Sequence, residues 1–314
     1  MKQSSKLVSC ILPVYNAERY IGAALESLLV QTYSELEIII INDGSNDRSL
    51  EIIEGYANMD SRVVVISREN RGLIMSLNEA IDIAKGSLIA RQDADDISSR
   101  DRIERQVCAF EDNAQLMLLG TQASLIDEQG CIVGNLNVPQ KVNPELFRKY
   151  NPFIHGTIMC RSEILKKMKY DPSMKFIEDY ELFWRISEEY MVGNLSQRLY
   201  MYRVSPDSVS SRNIAEQVTN KYLLIEKKVY HRNYEGSHLP INRKAMLTIK
   251  IEKNVVGRAV KHGHGDITYV IGVIKSKHCP LSIKCLDYIL AAFEYLKFII
   301  NDALTRIASQ LHRR

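Results

Sequence analysis

The sequence predicts an α/β protein: a mostly parallel sheet flanked by helices, followed by a helical C-terminal extension. Three observations lead there. Apolar β-branched runs alternate with amphipathic segments from residue 7 to residue 113. The runs are apolar on both alternating faces, the pattern of strands covered on both sides rather than half-solvated ones. The chain is also longer than one usual domain, at 314 residues, and its charge changes character near residue 213.

The strands read in order as "LVSCIL" (7–12), "LEIIII" (36–41), "RVVVIS" (62–67) and "GSLIA" (86–90). Between them Glu18–Val30, Asp47–Met59 and Leu73–Lys85 carry helical periodicity. Strand, helix, strand in repetition makes right-handed crossovers and parallel pairing. Such sheets bind ligands at the carboxyl ends of their strands. Those ends are "PVYN" (13–16), "NDGS" (42–45), "RENRG" (68–72) and "RQDADD" (91–96), so all four should meet on one rim. Past Leu116 the pattern loosens. "LMLLGTQASLID" and "CIVGNL" flank Glu128-Gln129-Gly130 as a hairpin. "NPFIHGTIMCRSEILKKM" reads as a strand entering a helix, "FIEDYELFWRISEEY" as a helix with an acidic first turn, and "LYMYRVSPDSVS" as a short strand and loop.

Composition narrows the class. A content of 46% hydrophobic and 25% charged residues is ordinary for a globular chain and excludes a disordered one. Residues 1–7 are polar and 8–12 read as a strand, so no signal peptide is expected, and no uncharged apolar run reaches membrane-spanning length. The six cysteines show neither CxxC spacing nor a compact framework, which predicts reduced thiols and a cytoplasmic protein. The net charge of +3 hides an asymmetry: residues 213–314 hold 17 Lys/Arg against 8 Asp/Glu, or +9, leaving 3 − 9 = −6 for residues 1–212. This divides the chain into residues 1–212, with halves 1–113 and 114–212, and a basic helical part, 213–314.

The carboxylates Asp93, Asp95 and Asp96 after a buried strand need a compensating partner, because such groups repel one another and lose solvation. A solvated turn or the cap of a helix near Arg100 would satisfy them, and so would a divalent cation held by hard oxygen ligands.

The stretch "VSCILPVYNAERYIGAALESLLVQTYSELEIIIINDGSNDRS" (8–49) resembles the N-terminal signature of family 2 glycosyltransferases, which have the GT-A fold. "QDADD", "HGTIM", "EDYELFWRI" and "YRVSPDSVS" follow in that family's order, and the likeness covers residues 7–212. It implies an inverting, metal-dependent transferase moving one sugar from a UDP-sugar to a glycan or lipid-diphosphate-linked acceptor, of the kind that builds O-antigen or capsule. Asp93-Ala94-Asp95 matches the family's DxD motif. Asp95 is thereby the metal ligand for Mn2+ or Mg2+, and Asp93 holds the ribose or sugar. Asp96 either supports the metal or caps the next helix.

The resemblance assigns Asp43 to the base, Tyr15 to stacking on it and Arg71 to the base or a phosphate; Pro13 and Glu18 join them as nucleotide-binding candidates. Read as residues alone, these are a turn aspartate, a strand-end aromatic and a solvated cation. Gly44 and Gly72 read as tight turns, and Asn78 as a tie from its helix to the rim. Asp179 of "EDYELF" is the implied general base, with Glu178 as a substrate-binding neighbour and the alternative base, since adjacent helical residues point about 100° apart. His155, the only histidine before residue 213, is structural as a lone residue and lines the acceptor side by resemblance. Arg203 and Ser208 are implied phosphate contacts. The chain departs from the family's Tyr-Arg-x-His-x-x-Ser at Ser205, which removes one metal-ligating histidine.

A sugar-nucleotide nucleotidyltransferase would need a Gly-rich, basic loop where "PVYNAERY" stands, and a QxxRW motif for processive synthesis is absent. An inactive scaffold is disfavoured by the intact carboxylates. No feature suggests nucleic acid. In the tail, Leu286, Ile289, Leu290, Phe293, Leu296, Ile300, Leu304, Ile307 and Leu311 form one helical stripe. It serves packing or a homodimer on one reading, and peripheral contact with the anionic inner face of the cytoplasmic membrane on the other.

Overall fold

The computed structural model describes residues 6–204 together with helical positions between 217 and 228. The chain divides into two units, Met1–Asn213 and Ile214–Arg314, and every element named below belongs to the first. The amphipathic stripe of residues 286–311, Ser205 and Ser208 lie outside the described residues. Among those described, no helix is long and apolar enough to cross a membrane.

The first half alternates as the periodicity predicts: β1 (Val8–Val14), α1 (Ile21–Leu29), β2 (Leu36–Asp43), α2 (Ser49–Met59), β3 (Val63–Arg68), α3 (Leu73–Ile83) and β4 (Leu88–Arg91). Every residue of β2 and β4 is buried, which is why Ile38–Ile41 and Leu88–Ala90 are continuous apolar runs. The remaining elements are β5 (Ile97–Ser98), α4 (Arg102–Asp112), β6 (Leu116–Ile126), β7 (Ile132–Leu136), β8 (Met159–Arg161), α5 (Ser162–Met168), α6 (Glu178–Glu189) and β9 (Met191–Arg203). The strands form one sheet in the order β3-β2-β1-β4-β8-β6-β9-β5, with β7 added to β6.

Parallel pairing of β1 with β2 and β4, and of β2 with β3, aligns Val14 with Asn42 and Asp43 with Arg68. The strand-end sequences therefore do share a rim. Direction changes where β8 inserts antiparallel between β4 and β6, pairing Ala90 with Met159 and Leu119 with Met159. The strand order itself switches between β1 and β4, the point at which open sheets of this type bind ligands at the strand ends. The insertion of β8 brings the second half of the chain beside β4.

Several element boundaries differ from the sequence expectation. The helix expected from Glu18 starts at Ile21, because Tyr20 N–H closes a turn on Ala17 and the Glu18 N–H is taken by the Asp47 carboxylate at 3.0 Å. His155 is not in a strand; it opens a 3₁₀ turn, His155–Thr157, ahead of β8. The short strand expected at "LYMYR" is the end of a 13-residue strand, β9. Its first half, rich in Gly, Asn, Ser and Gln, has little β-propensity of its own, and pairing with β6 overrides that.

Two features of the packing hold the site. The core between the sheet and α1, α2 and α4 is built from buried aliphatic residues of β1, β2 and those helices. A second, aromatic group supports α6: Trp184 stacks on Phe147 at 5.9 Å, and Phe153 meets Phe183 edge-on at 5.4 Å. The cysteines among the described residues, Cys10, Cys108, Cys131 and Cys160, are free thiols, as expected.

Candidate active site

The loop leaving β4 is pinned at nearly every residue. Gln92 Nε2 donates to the Asp93 and Asp96 carbonyls at 3.2 and 2.9 Å. Asp93 N–H donates to Tyr200 Oη at 3.0 Å. Asp96 Oδ1 accepts from the Arg203 N–H at 2.6 Å, so Asp96 latches the end of β9. The capping role expected for Asp96 is not seen, since α4 has no side-chain cap; burial together with Asp93 and Asp95 pushes its carboxyl well above the usual range.

Arg203 also departs from the expectation of a free phosphate-binding cation. Its Nε donates to the Asp95 carbonyl and its Nη1 to the Asp127 carbonyl, both at 2.7 Å, and its guanidinium lies 4.4 Å from the centre of the Tyr20 ring. It is a buried strap between the loop, β9 and the β6–β7 turn. Gly156 is required here by space rather than backbone freedom. A Cβ on it would lie 2.3 Å from Tyr200 Oη and 2.8 Å from Asp93 Oδ2.

The carboxylates themselves differ. Asp93 is gripped by a residue the motif reading passed over, Arg91, whose Nη1 and Nη2 each meet an Asp93 oxygen at 2.5 Å. The Asp95 side-chain carboxylate receives no hydrogen bond from another residue in the described part. Burial and the charge of Asp93 push its pKa up to about 6. Clustered hard oxygens with one carboxylate unpaired and electrostatically crowded suit a divalent cation, whose charge would relieve the crowding. Asp95, with Asp93 beside it, fits that group.

On the neighbouring strands, Asp43 is 4% exposed and organises the loop after β3. It accepts the Arg71 and Gly72 N–H groups at 2.8 Å each and pairs with Arg68, which also binds Glu79 at 2.6 Å and Ser76 at 3.0 Å. Arg68 was not a sequence candidate. A cation at a strand end reads as solvated, and only the fold shows it 9% exposed beneath Asp43. Gly72 and Gly44 have φ values of +89° and +73°, which favour glycine. At Gly44 a Cβ would also strike the Asn70 backbone nitrogen at 2.7 Å.

Tyr15 stands half exposed just past β1, and the Arg71 side chain is exposed. Pro13 is a partly buried residue of β1. Glu18 turns elsewhere, accepting the Arg48 N–H at 2.8 Å and so clamping the 44–48 loop. Asn78 ties α3 not to this rim but to residue 170: its amide exchanges two hydrogen bonds with the Tyr170 backbone, at 2.9 and 3.0 Å.

The first turn of α6 supplies the other carboxylates. Phe176, at φ 68°, is an uncommon left-handed non-glycine residue just before it. Asp179 Oδ2 accepts from Asn151 Nδ2 at 2.8 Å, and Asn151 is another residue that the sequence did not single out. His155 Nε2 is 2.8 Å from Tyr170 Oη, and burial with the nearby Arg91 charge holds its imidazole well below its ordinary pKa. His155, Glu178 and Asp179 each place a ligand-capable atom within 4.8 Å of the others. Glu178 is 8% exposed, and burial plus the Asp179 charge push its pKa up to about 7; burial raises Asp179 as well.

This has a consequence for stability. A carboxyl raised in the folded state contributes stability that is full below its unfolded value and is lost as pH rises through the folded one. For Glu178 the window runs from about 4.5 to about 7, and a shift of this size is worth on the order of 3 kcal/mol at ~1.4 kcal/mol per unit. Glu178→Gln should therefore melt like the parent at pH 4.5 and above it at pH 8. Equal melting temperatures at both pH values would show that Glu178 carries no buried charge.

A family model described as "Glycosyl transferase family 2" matches residues 9–168. The chain belongs to glycosyl transferase family 2. Among relatives of this family-2 enzyme, the O-antigen biosynthesis glycosyltransferase WbnJ of Escherichia coli is 33% identical over 226 residues, 70% of this chain and 88% of that one. Two solved structures share the GT-A fold. TarS 1-349 of S. aureus in complex with UDP-GlcNAc aligns with a TM-score of 0.57 at 21% identity, covering 70% of this chain and 66% of that one. The mannosyltransferase PcManGT of Pyrobaculum calidifontis, in complex with GDP-Man and Mn2+, aligns at 0.59 and 16% identity, covering 98% of this chain and 87% of that one. The family-2 enzyme spans just under two thirds of the TarS chain.

Proposed function

We propose that this glycosyltransferase moves one sugar from a UDP-sugar to a glycan or lipid-diphosphate-linked acceptor, with inversion, in the synthesis of a surface polysaccharide such as O-antigen or capsule. One observation supports the reading: Asp95, whose carboxylate is unpaired in the described part, and Asp179, oriented by Asn151, both interact with the charge of Arg91 at the end of β4. Likeness to WbnJ supports the pathway, and nucleotide-sugar complexes of the structural neighbours support the donor class.

Mn2+ or Mg2+ held by Asp95, when bound, supplies Lewis-acid neutralisation of the departing diphosphate. Asp179, oriented by Asn151, takes the proton of the acceptor hydroxyl as that oxygen bonds to the anomeric carbon and the bond to the UDP oxygen breaks. A single base opposite the leaving group gives a β-glycoside from an α-linked donor. Glu178 and neutral His155 line the acceptor side. Asp43 and Tyr15 receive the base, with Arg71 and Pro13 beside them. The exposure of Tyr15 supports stacking over a place in the core. We place the protein in the cytoplasm, with the basic tail at the inner membrane face or in a homodimer.

UDP-, GDP- and dTDP-sugars incubated with the protein and Mn2+ test this reading. Slow metal-dependent hydrolysis of a UDP-sugar is expected, and hydrolysis of none would favour a scaffold that has lost catalysis. Asp43→Ala should weaken UDP binding by roughly tenfold or more while slowing the bound complex little, because base contacts are alike in ground and transition states. Calorimetric titration with UDP and Mn2+ checks it; unchanged affinity would move the base-binding role to another residue.

A further inference from the structure

Arg91 ends β4, a strand in which every residue is buried, and its side chain is only 3% exposed. A guanidinium so placed loses solvation that a fixed partner has to replace. The partner is Asp93, two residues on and therefore on the same side of the extended chain. Both terminal nitrogens engage both carboxylate oxygens, the planar two-bond match that lysine cannot make. Arg203 reaches this loop only at the Asp95 carbonyl, and Asp96 Oδ1 accepts from a backbone N–H, so among the described residues Asp93 is the one carboxylate of the 92–96 loop gripped by a charged side chain.

Groups from every surrounding segment face the same cation: His155 of the 3₁₀ turn, Tyr170 after α5, Glu178 and Asp179 of α6, Tyr200 of β9 and Arg102 of α4. Arg102 does not compete for Asp93, since it binds the Gly156 carbonyl at 2.8 Å and lies over the Tyr200 ring. The Arg91 Nε–H has no acceptor in the described part, so the fork to Asp93 is what holds the side chain in place.

We propose that Arg91 is a positioning residue for sugar transfer, setting the direction of the Asp93 carboxylate toward the donor and joining the donor end of the site to the α6 carboxylates. The proposal rests on the transferase reading above. Arg91→Lys keeps the charge and loses the fork. It should raise the KM for the UDP-sugar by roughly ten- to a hundredfold, the worth of a charge-assisted pair, with a smaller change in kcat. A residue that merely fills the core would lower melting temperature and leave that split unmoved.

The decisive measurement is a double-mutant cycle of Arg91→Lys and Asp93→Asn, read as donor KM and as UDP affinity with Mn2+. If Arg91 acts through Asp93, the double variant is no worse than Asp93→Asn alone, within about threefold. Additive losses, or a wild-type KM in Arg91→Lys, would overturn the proposal. Should Arg91→Lys not fold, Asp93→Glu keeps both charges but displaces the fork by one methylene. It is expected to raise the donor KM in the same way, and a wild-type KM there overturns the proposal equally. Parent protein that neither binds UDP nor turns over any donor sinks the transferase reading itself. An active parent beside an unaffected Arg91→Lys sinks only this inference.

Discussion

Asp95→Asn is expected to lower sugar transfer by at least about a hundredfold, because in the proposed mechanism it removes a charged ligand from the position where diphosphate charge develops. The fold should survive, and the variant should be the more stable protein at pH 8. The parent's Asp95 carboxyl is raised by burial and by Asp93 to about 6 from 3.8. Its contribution to stability is thus full below about 3.8 and lost as pH rises through about 6, whereas an amide loses nothing. Melting curves at pH 4 and pH 8, beside Mn2+ titrations of donor hydrolysis, separate the two effects. Turnover close to the parent's at saturating Mn2+ would show that Asp95 is not the ligand.

Asp179→Asn is expected to cost roughly 10²–10⁴-fold in transfer rate, the usual worth of a general base, with UDP affinity nearly unchanged; because burial raises the Asp179 carboxyl, the variant should melt like the parent in acid and above it at alkaline pH. The amide fills the same space beside Asn151 but cannot take the acceptor's proton. Glu178 and Asp179 are adjacent and interact, so the acid limb of the parent's pH–rate profile belongs to the pair and should lie above the usual carboxylate range. The rate rises with pH as the pair gives up its proton. Normal transfer by Asp179→Asn alongside an inactive Glu178→Gln would make Glu178 the base, with the helix turned by about 100°. Two active variants would leave the displacement without a base among these residues.

Much of the donor half could be read from the sequence because its signals are local. A strand covered on both faces is apolar along most of its length, and clusters of polar residues that follow such a run mark its end. "NDGS" and "RQDADD" were identifiable on that ground, as were the turns at Gly44 and Gly72. Residues whose role depends on what packs above them were not. Glu18 and Arg203 look like free polar groups in "PVYNAERY" and "YRVSPDSVS", yet one holds the Arg48 N–H and the other is spent on carbonyl oxygens. Arg68, Arg91 and Asn151 look like ordinary surface residues, and each is the partner of a site carboxylate.

By itself the sequence determined the alternation of strands and helices and the sharing of one rim by four strand ends, which follow from periods of two and 3.6 residues. The roles proposed for metal, base and proton chemistry rest on the family resemblance that its short motifs carry. Only the tertiary structure decided which of those groups meet. The antiparallel insertion of β8 places residues 155–179 against a loop some sixty to eighty positions earlier in the chain. Whether a given arginine there is solvated or buried is set by what the second half of the chain packs over it, and no local pattern of residues encodes that.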